Sequence, residues 1–161
     1  MRTPLIAFVA AATTGVVVIA GTSAIVRSQS PKPLEVYWID VEGGAATLIV
    51  TPAGESVLVD AGNPGGRDSG RIIKTAKESA HLERIDAVVV THLHNDHFGG
   101  IAELSKVIPI GMLYENGIEN APATEQAQAT IPAYRAASVG RRVVVQPGDK
   151  ISLKQAAGAR H

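Results

Sequence analysis

The chain has 161 residues, of which 45% are hydrophobic and 19% are charged, so it can form one globular domain and shows no signature of disorder. Its 15 basic and 15 acidic side chains balance, and it contains no cysteine. The balanced charge gives no support to a nucleic-acid partner, and the lack of cysteine excludes disulfides and thiolate-bound zinc.

Residues 1–30 read as a unit separate from the rest of the chain. A basic start is followed by an uncharged stretch, residues 3–26, that is rich in Ala, Val and Ile. This layout is typical of a secretory signal peptide, with a small-residue cleavage site at residues 22–24. The stretch is also long enough to cross a bilayer if it is not cleaved. We therefore expect an exported protein, periplasmic or extracellular, or alternatively one anchored to the membrane by this segment.

The folded domain is predicted to span residues 34–153, after an extended Pro-Lys-Pro linker. It opens with three short runs of β-branched and aromatic residues at 35–41, 47–51 and 56–60. The turn signal between the second and third runs predicts an antiparallel meander.

Strands and helices then alternate, which predicts an α/β sheet. The further strands are predicted at 85–91, 112–114, 143–145 and 151–153. The helices are predicted at 72–80, 102–107 and 124–137, the last interrupted near Pro132. Residues 154–161 form a tail without pattern.

Residues 91–100, the histidine loop, read T-H-L-H-N-D-H-F-G-G and hold three of the five histidines. Side chains alternate along an extended segment, so His92, His94 and Asp96 can point to one side. His97 is out of phase and joins them only if the chain turns into a helix. Imidazole nitrogen and carboxylate oxygen are donors that zinc accepts, and iron or manganese less selectively. The cluster predicts part of a metal site; the alternative is a set of ordinary loop histidines.

Asp60 ends an apolar strand, much as the histidine loop follows another. If the two strands lie side by side, Asp60 comes near the loop, where a carboxylate can orient an imidazole by accepting its second N–H. The alternative is a turn cap near Asn63. His81 is expected to be solvated. Asp40 and Glu42 are weaker acidic candidates, and Asp149 reads as a turn residue.

The H-x-H-x-D-H pattern of the histidine loop resembles the signature of the metallo-β-lactamase-fold hydrolases. Upstream segments resemble the hydrolase domain of the ComEC type: residues 39–41 with Gly44, 47–49 and 57–62. Residues 42–46 depart from it, since they read Glu-Gly-Gly-Ala-Ala where ComEC domains have G-Q-G-D-A. The resemblance covers about residues 34–153.

The resemblance implies a metallo-β-lactamase-like αββα sandwich, with its remaining ligands on later loops. No histidine lies between Phe98 and Arg160. A lone histidine at a chain end, His161, is more typical of a frayed terminus than of a ligand. We therefore expect this chain to supply the N-terminal half of the sandwich and to have little activity alone.

The resemblance also implies two zinc ions, with iron or manganese as alternatives. His92 and His94 would hold the first ion, Asp96 and His97 would begin the second site, and Asp60 would orient a ligand. Asp96 would also act in catalysis, by positioning the nucleophilic water or accepting its proton.

The implied reaction is metal-assisted hydrolysis of a phosphodiester or another small ester. A β-lactamase-type enzyme is an alternative, since exported β-lactamases of one subclass carry the same pattern. Lactonase and thioesterase activities stay open. From a different class, the chain could be a non-catalytic remnant that binds a metal or a partner protein.

Overall fold

The computed structural model describes residues 32–154. The predicted signal or anchor segment, 1–30, and nearly all of the predicted tail, 154–161, lie outside the described residues. Within the described part, no helix combines the length and the apolar character needed to cross a membrane.

Six strands form one mixed sheet, in which the order in space equals the order along the chain. They are Glu35–Trp38 (β1), Thr47–Val50 (β2), Ser56–Val59 (β3), Ile85–Val89 (β4), Ile110–Glu115 (β5) and Val139–Val144 (β6). Strands β1 to β3 pair antiparallel, which confirms the predicted meander. From β3 onward all neighbours are parallel, so the connections must cross over, and they carry the helices.

The helices are short and lie in these crossovers. They are Arg67–Lys74 (α1), Asn95–Phe98 (α2), Ile101–Leu104 (α3), Ala123–Gln126 (α4) and Ile131–Arg135 (α5), with a π turn at Thr75–Ser79 and a 3₁₀ turn at Ile118–Asn120. The sequence placed the first helix at 72–80, but α1 begins at Arg67. Gly70 lies inside its first turns, and a glycine there lowers the helix signal because it costs about 1 kcal/mol relative to alanine.

The predicted strand at 151–153 is wrong, because these residues pair with no strand of the described chain. They belong to a segment that returns from β6 to the turn between β2 and β3. There the backbone N–H of Lys154 donates to the carboxylate of Glu55. A contact to a side chain thus takes the place of the strand pairing that was predicted for these residues.

The core lies between one face of the sheet and the helices. Leu48, Leu58, Val88 and Leu113 are aligned across four neighbouring strands and have no exposed surface. They belong to one buried cluster with side chains from the helices: Ile72, Ala76, Phe98, Ile101, Leu104, Ile131 and Tyr134. Burial of these side chains from water is the main force holding the layers together.

The opposite face of the sheet is apolar but only partly buried. Trp38, Val59, Val89 and Tyr114 line one row across the strands, and none belongs to the core cluster. Trp38 is 81% exposed. Because side chains alternate along a strand, Val88 faces the helices and Val89 faces away.

A glycine-rich loop precedes α1 and is fixed by a carboxylate from α3. Glu103 accepts hydrogen bonds from the N–H groups of Gly65 and Gly66, at 2.8 and 2.9 Å. It also accepts one from the Ser69 hydroxyl at 2.5 Å. Burial alone would raise the pKa of Glu103, but these hydrogen bonds hold it below its ordinary value.

Candidate functional site

The histidine loop leaves the sheet at the edge where parallel strands end. Because β3 and β4 are adjacent and parallel, their carboxyl ends meet at one edge, where polar side chains of open α/β sheets commonly gather. The pairing continues past β3, since the N–H of Asp60 donates to the carbonyl of Val89 at 2.9 Å. This register places Asp60 beside the first residues of the loop.

Asp60 is buried, with its side chain 3% exposed, and its carboxylate makes three polar contacts. Its Oδ1 accepts the N–H of Thr91 at 2.9 Å, and its Oδ2 accepts the Thr91 hydroxyl at 2.8 Å. Oδ2 also lies 2.8 Å from Nδ1 of His97. Asp60 was alternatively expected to cap the turn near Asn63. In the structure Asp68 does this, because its carboxylate accepts the Asn63 N–H at 2.8 Å.

His97 joins the cluster because the chain turns into α2. His94 is extended, with φ −92° and ψ 142°, and α2 starts at the next residue. A carboxylate only accepts hydrogen bonds, so Nδ1 of His97 carries the proton given to Asp60, and in the neutral imidazole Nε2 then has the lone pair. That Nε2 lies 3.7 Å from Oδ2 of Asp96, which makes these two atoms a donor pair.

A second donor pair is formed by His92 and His94. Nε2 of His92 lies 3.0 Å from Nδ1 of His94, with the rings nearly perpendicular. The ring centroids of His92 and His97 are 4.0 Å apart, so the three imidazoles are in one cluster. The structure therefore brings the three imidazoles of the loop together, with Asp96 next to His97.

The backbone of the histidine loop is packed tightly against the loop that follows β1. A Cβ added to Gly44 would lie 2.0 Å from the carbonyl oxygen of Asp96, so only glycine fits there. The N–H of Ala45 donates to that same carbonyl at 3.2 Å. The N–H of Ala61 donates to the carbonyl of His97 at 2.6 Å. Two neighbouring loops thus hold the donor residues in position through backbone contacts.

The segment with α4 and α5 braces the loop from the other side, which the sequence analysis missed. Glu125 is 8% exposed and accepts the N–H of Leu93, between the two histidines, at 2.8 Å. Thr130 forms a hydrogen bond to the side chain of Asn95. Nothing in the local pattern indicates these roles, since Glu125 reads as an ordinary polar residue of a helix.

The weaker candidates make other contacts. Asp40 pairs with Arg71, Glu42 pairs with Arg67, and Asp149 accepts the Gln146 N–H in a turn. His81 is exposed, as expected. Within residues 32–154, none of these candidates forms a hydrogen bond or ion pair with the histidine loop.

The donor atoms fit a divalent metal ion in chemistry and, for one pair, in spacing. Two nitrogens bound to one tetrahedral zinc lie about 3.3 Å apart, given Zn–N bonds of about 2.0–2.1 Å. The 3.0 Å between His92 Nε2 and His94 Nδ1 is close to this separation. Over residues 32–154, however, no three His, Asp or Glu side chains converge as a complete ion site. The loop supplies one pair of donors for each ion, whereas a catalytic zinc usually has three protein ligands.

Comparison with known proteins agrees with this chemistry. A family model described as the metallo-beta-lactamase superfamily matches residues 39–151. A UPF0173 metal-dependent hydrolase of Cupriavidus necator is 29% identical over 113 residues, which are 70% of this chain and 36% of that relative. A UPF0173 metal-dependent hydrolase of Cupriavidus metallidurans is 35% identical over 75 residues, 45% of this chain and 23% of the relative.

A third relative is the atrochrysone carboxyl ACP thioesterase of Aspergillus fumigatus. It is 33% identical over 66 residues, which are 41% of this chain and 20% of the relative. The chain therefore spans about a third or less of the length of each of these three relatives.

Proposed function

Because the chain belongs to the metallo-β-lactamase superfamily, we propose that it carries the metal-binding loop of a zinc-dependent hydrolase, with iron or manganese as alternative metals. The observation that supports this best is the contact between Asp60 and Nδ1 of His97 at 2.8 Å. It leaves Nε2 of His97 free to bind an ion on the side where Asp96 lies. Metal-binding histidines usually donate their other N–H to a carboxylate in this way.

The proposed roles follow from the two donor pairs. His92 with His94 would hold one ion, and Asp96 with His97 would hold the other. Bound zinc lowers the pKa of a water molecule to about 7 and polarises the bond to be cleaved. Asp96 is 34% exposed, so its carboxylate is accessible to hold that water or to accept its proton.

We propose a small ester or phosphodiester-type substrate rather than a nucleic acid. A cleft of about 360 Å³ is lined by Glu42, Asn63, Pro64, Arg67 and Asp68. Pro64 packs close to Gly99 of the histidine loop, which puts the cleft beside the site. Arg67, the cleft's basic residue, is ion-paired to both acids, at 3.3 and 3.1 Å. With two acids and one base, the lining of the cleft is net negative, which disfavours binding of the polyanionic backbone of a nucleic acid.

The finer family assignment is also a proposal. The ComEC-type likeness rests on residues 39–41, 47–49 and 57–62, whereas the relatives reported above are named as UPF0173 hydrolases and a thioesterase. We keep the β-lactamase, lactonase and thioesterase reactions as alternatives, the last favoured by the name of the Aspergillus relative. We also keep, as an alternative of a different class, a non-catalytic role in binding a metal or a partner protein.

The test of metal binding uses His92→Ala/His94→Ala, with His81→Ala as the matched control because that histidine is exposed. After zinc loading and dialysis, wild-type and His81→Ala proteins should retain zinc by elemental analysis, and the double variant should lose it. Equal zinc in all three proteins would refute the assignment.

The reaction is tested by turnover of a phosphodiester, a β-lactam, a lactone and a thioester, with His92→Ala as background. We expect little turnover by the 161-residue chain, since two donors per ion hold a metal weakly. Zinc-dependent turnover that His92→Ala abolishes would identify the substrate and show that no further ligands are needed.

We also propose that residues 1–30 direct export or anchor the protein. Fractionation of expressing cells tests this: a soluble cytoplasmic product that retains Met1 would refute it. A full-length membrane-bound product would favour an anchor over a cleaved signal peptide.

A further inference from the structure

Thr91 connects the buried carboxylate to a histidine of the other donor pair. Its Oγ1 lies 2.8 Å from Oδ2 of Asp60 and 3.1 Å from Nδ1 of His92. Its backbone N–H makes a separate hydrogen bond to Asp60 at 2.9 Å. The hydroxyl is therefore a bridge, and the backbone contact does not depend on it.

The chemistry of these groups decides where the protons are. A carboxylate has acceptor oxygens only, so the single hydroxyl proton of Thr91 is donated to Asp60. The hydroxyl oxygen can then only accept from His92, so Nδ1 of His92 must carry a proton. In a neutral imidazole the other nitrogen, Nε2, then has the lone pair. This Nε2 lies 3.0 Å from Nδ1 of His94, so in the metal-free protein it accepts the proton of His94 Nδ1. His94 would bind an ion through Nδ1 only in its other tautomer.

We propose that Thr91 is a positioning residue that selects the Nδ1–H tautomer of His92 and so keeps the lone pair on its Nε2, the atom that would bind a divalent metal ion. Asp60 would then order both donor pairs: it fixes His97 by direct contact and His92 through the Thr91 hydroxyl. The role of this tautomer in metal binding rests on the proposed function, whereas the tautomer itself can be measured without any metal.

Two substitutions separate the hydroxyl from the rest of the residue. Thr91→Val keeps the size and the β-branched shape and leaves the backbone hydrogen bond to Asp60 in place. It removes only the donor and acceptor between Asp60 and His92. Thr91→Ser keeps the hydroxyl and serves as the conservative variant that should rescue the effect.

The experiment is long-range ¹H–¹⁵N NMR of the histidine rings in the metal-free protein, followed by zinc titration. Wild type and Thr91→Ser should show His92 protonated at Nδ1, and Thr91→Val should show a mixture or the Nε2–H form. His97, fixed directly by Asp60, should keep its tautomer in all three proteins. Zinc should bind Thr91→Val about 10–100-fold more weakly than wild type, and Thr91→Ser should recover most of the affinity.

Several results would overturn the proposal. An Nε2–H tautomer of His92 in wild type would do so, as would an unchanged tautomer in Thr91→Val or failure of Thr91→Ser to rescue. Should Thr91→Val not fold, wild type and Thr91→Ser decide: Nδ1–H in both supports the role, and Nε2–H in either refutes it. If wild type binds no zinc, the proposed function fails, and the tautomer measurement still decides the role of Thr91.

Discussion

Replacing Gly44 with alanine tests whether the loop after β1 holds the histidine loop in place. The added Cβ would lie 2.0 Å from the carbonyl oxygen of Asp96 and 2.9 Å from its Cβ. Real Cβ contacts are essentially never shorter than 3.0 Å, so the two backbones must separate by about 1 Å. The adjacent hydrogen bond from Ala45 to Asp96 would be stretched or lost.

Two costs follow from this displacement. Overpacking of a close-packed contact costs about 1–3 kcal/mol, and the lost hydrogen bond adds about 0.5–1.5 kcal/mol. We therefore expect Gly44→Ala to lower the free energy of unfolding by about 2–4 kcal/mol. Functional constellations tolerate errors of about 0.5 Å, so a shift of about 1 Å at Asp96 should weaken zinc binding by at least about tenfold.

Urea unfolding of the metal-free protein measures the first effect, and zinc titration measures the second. Gly70→Ala is the matched control, because its Cβ meets nothing within 4 Å and it lies inside α1. That control should be stabilising by up to about 1 kcal/mol. If Gly44→Ala unfolds within about 0.5 kcal/mol of wild type and binds zinc equally well, the packing argument is wrong.

Three further predictions concern other parts of the molecule. The pKa of Glu103 is lowered below 4.5, because the hydrogen bonds from Ser69 and the loop backbone outweigh burial. The charged Glu103 side chain therefore stabilises the fold above about pH 4.5, and this stabilisation is lost as the pH falls through the lower pKa of the folded state. In urea unfolding, the difference in the free energy of unfolding between wild type and Glu103→Gln should shrink on acidification. Glu125→Ala should lower the free energy of unfolding by about 1–3 kcal/mol, because it leaves the Leu93 N–H unpaired, and Glu125→Gln should lower it less because its side chain can still accept that hydrogen bond. Equal losses for the two variants in urea unfolding would contradict this. Trp38, 81% exposed, should promote self-association, so Trp38→Ser should reduce the sedimentation coefficient at high concentration, and no change would count against it.

Local patterns in the sequence were enough for much of the architecture. The β-branched runs before residue 60 predicted the meander, because turn signals and alternation act within a few residues. The donors of the histidine loop were identified for the same reason: they are clustered in a six-residue stretch, residues 92–97. The turn that His97 requires is also local, and in the structure the chain turns into α2 directly after His94.

Only the tertiary structure decided how these donors are ordered. Asp60 meets Thr91 across 31 residues of sequence and His97 across 37, and Glu125 reaches Leu93 across 32. The sequence predicted that Asp60 lies near the loop only if β3 and β4 are neighbours, and it did not indicate the roles of Thr91 and Glu125. These contacts depend on the parallel register of β3 and β4 or on the path of the crossover that carries α4. The proton on His92 has the same origin. The sequence determines which atoms can bind a metal, and the long-range contacts determine which nitrogen of His92 and of His97 carries the proton and which carries the lone pair.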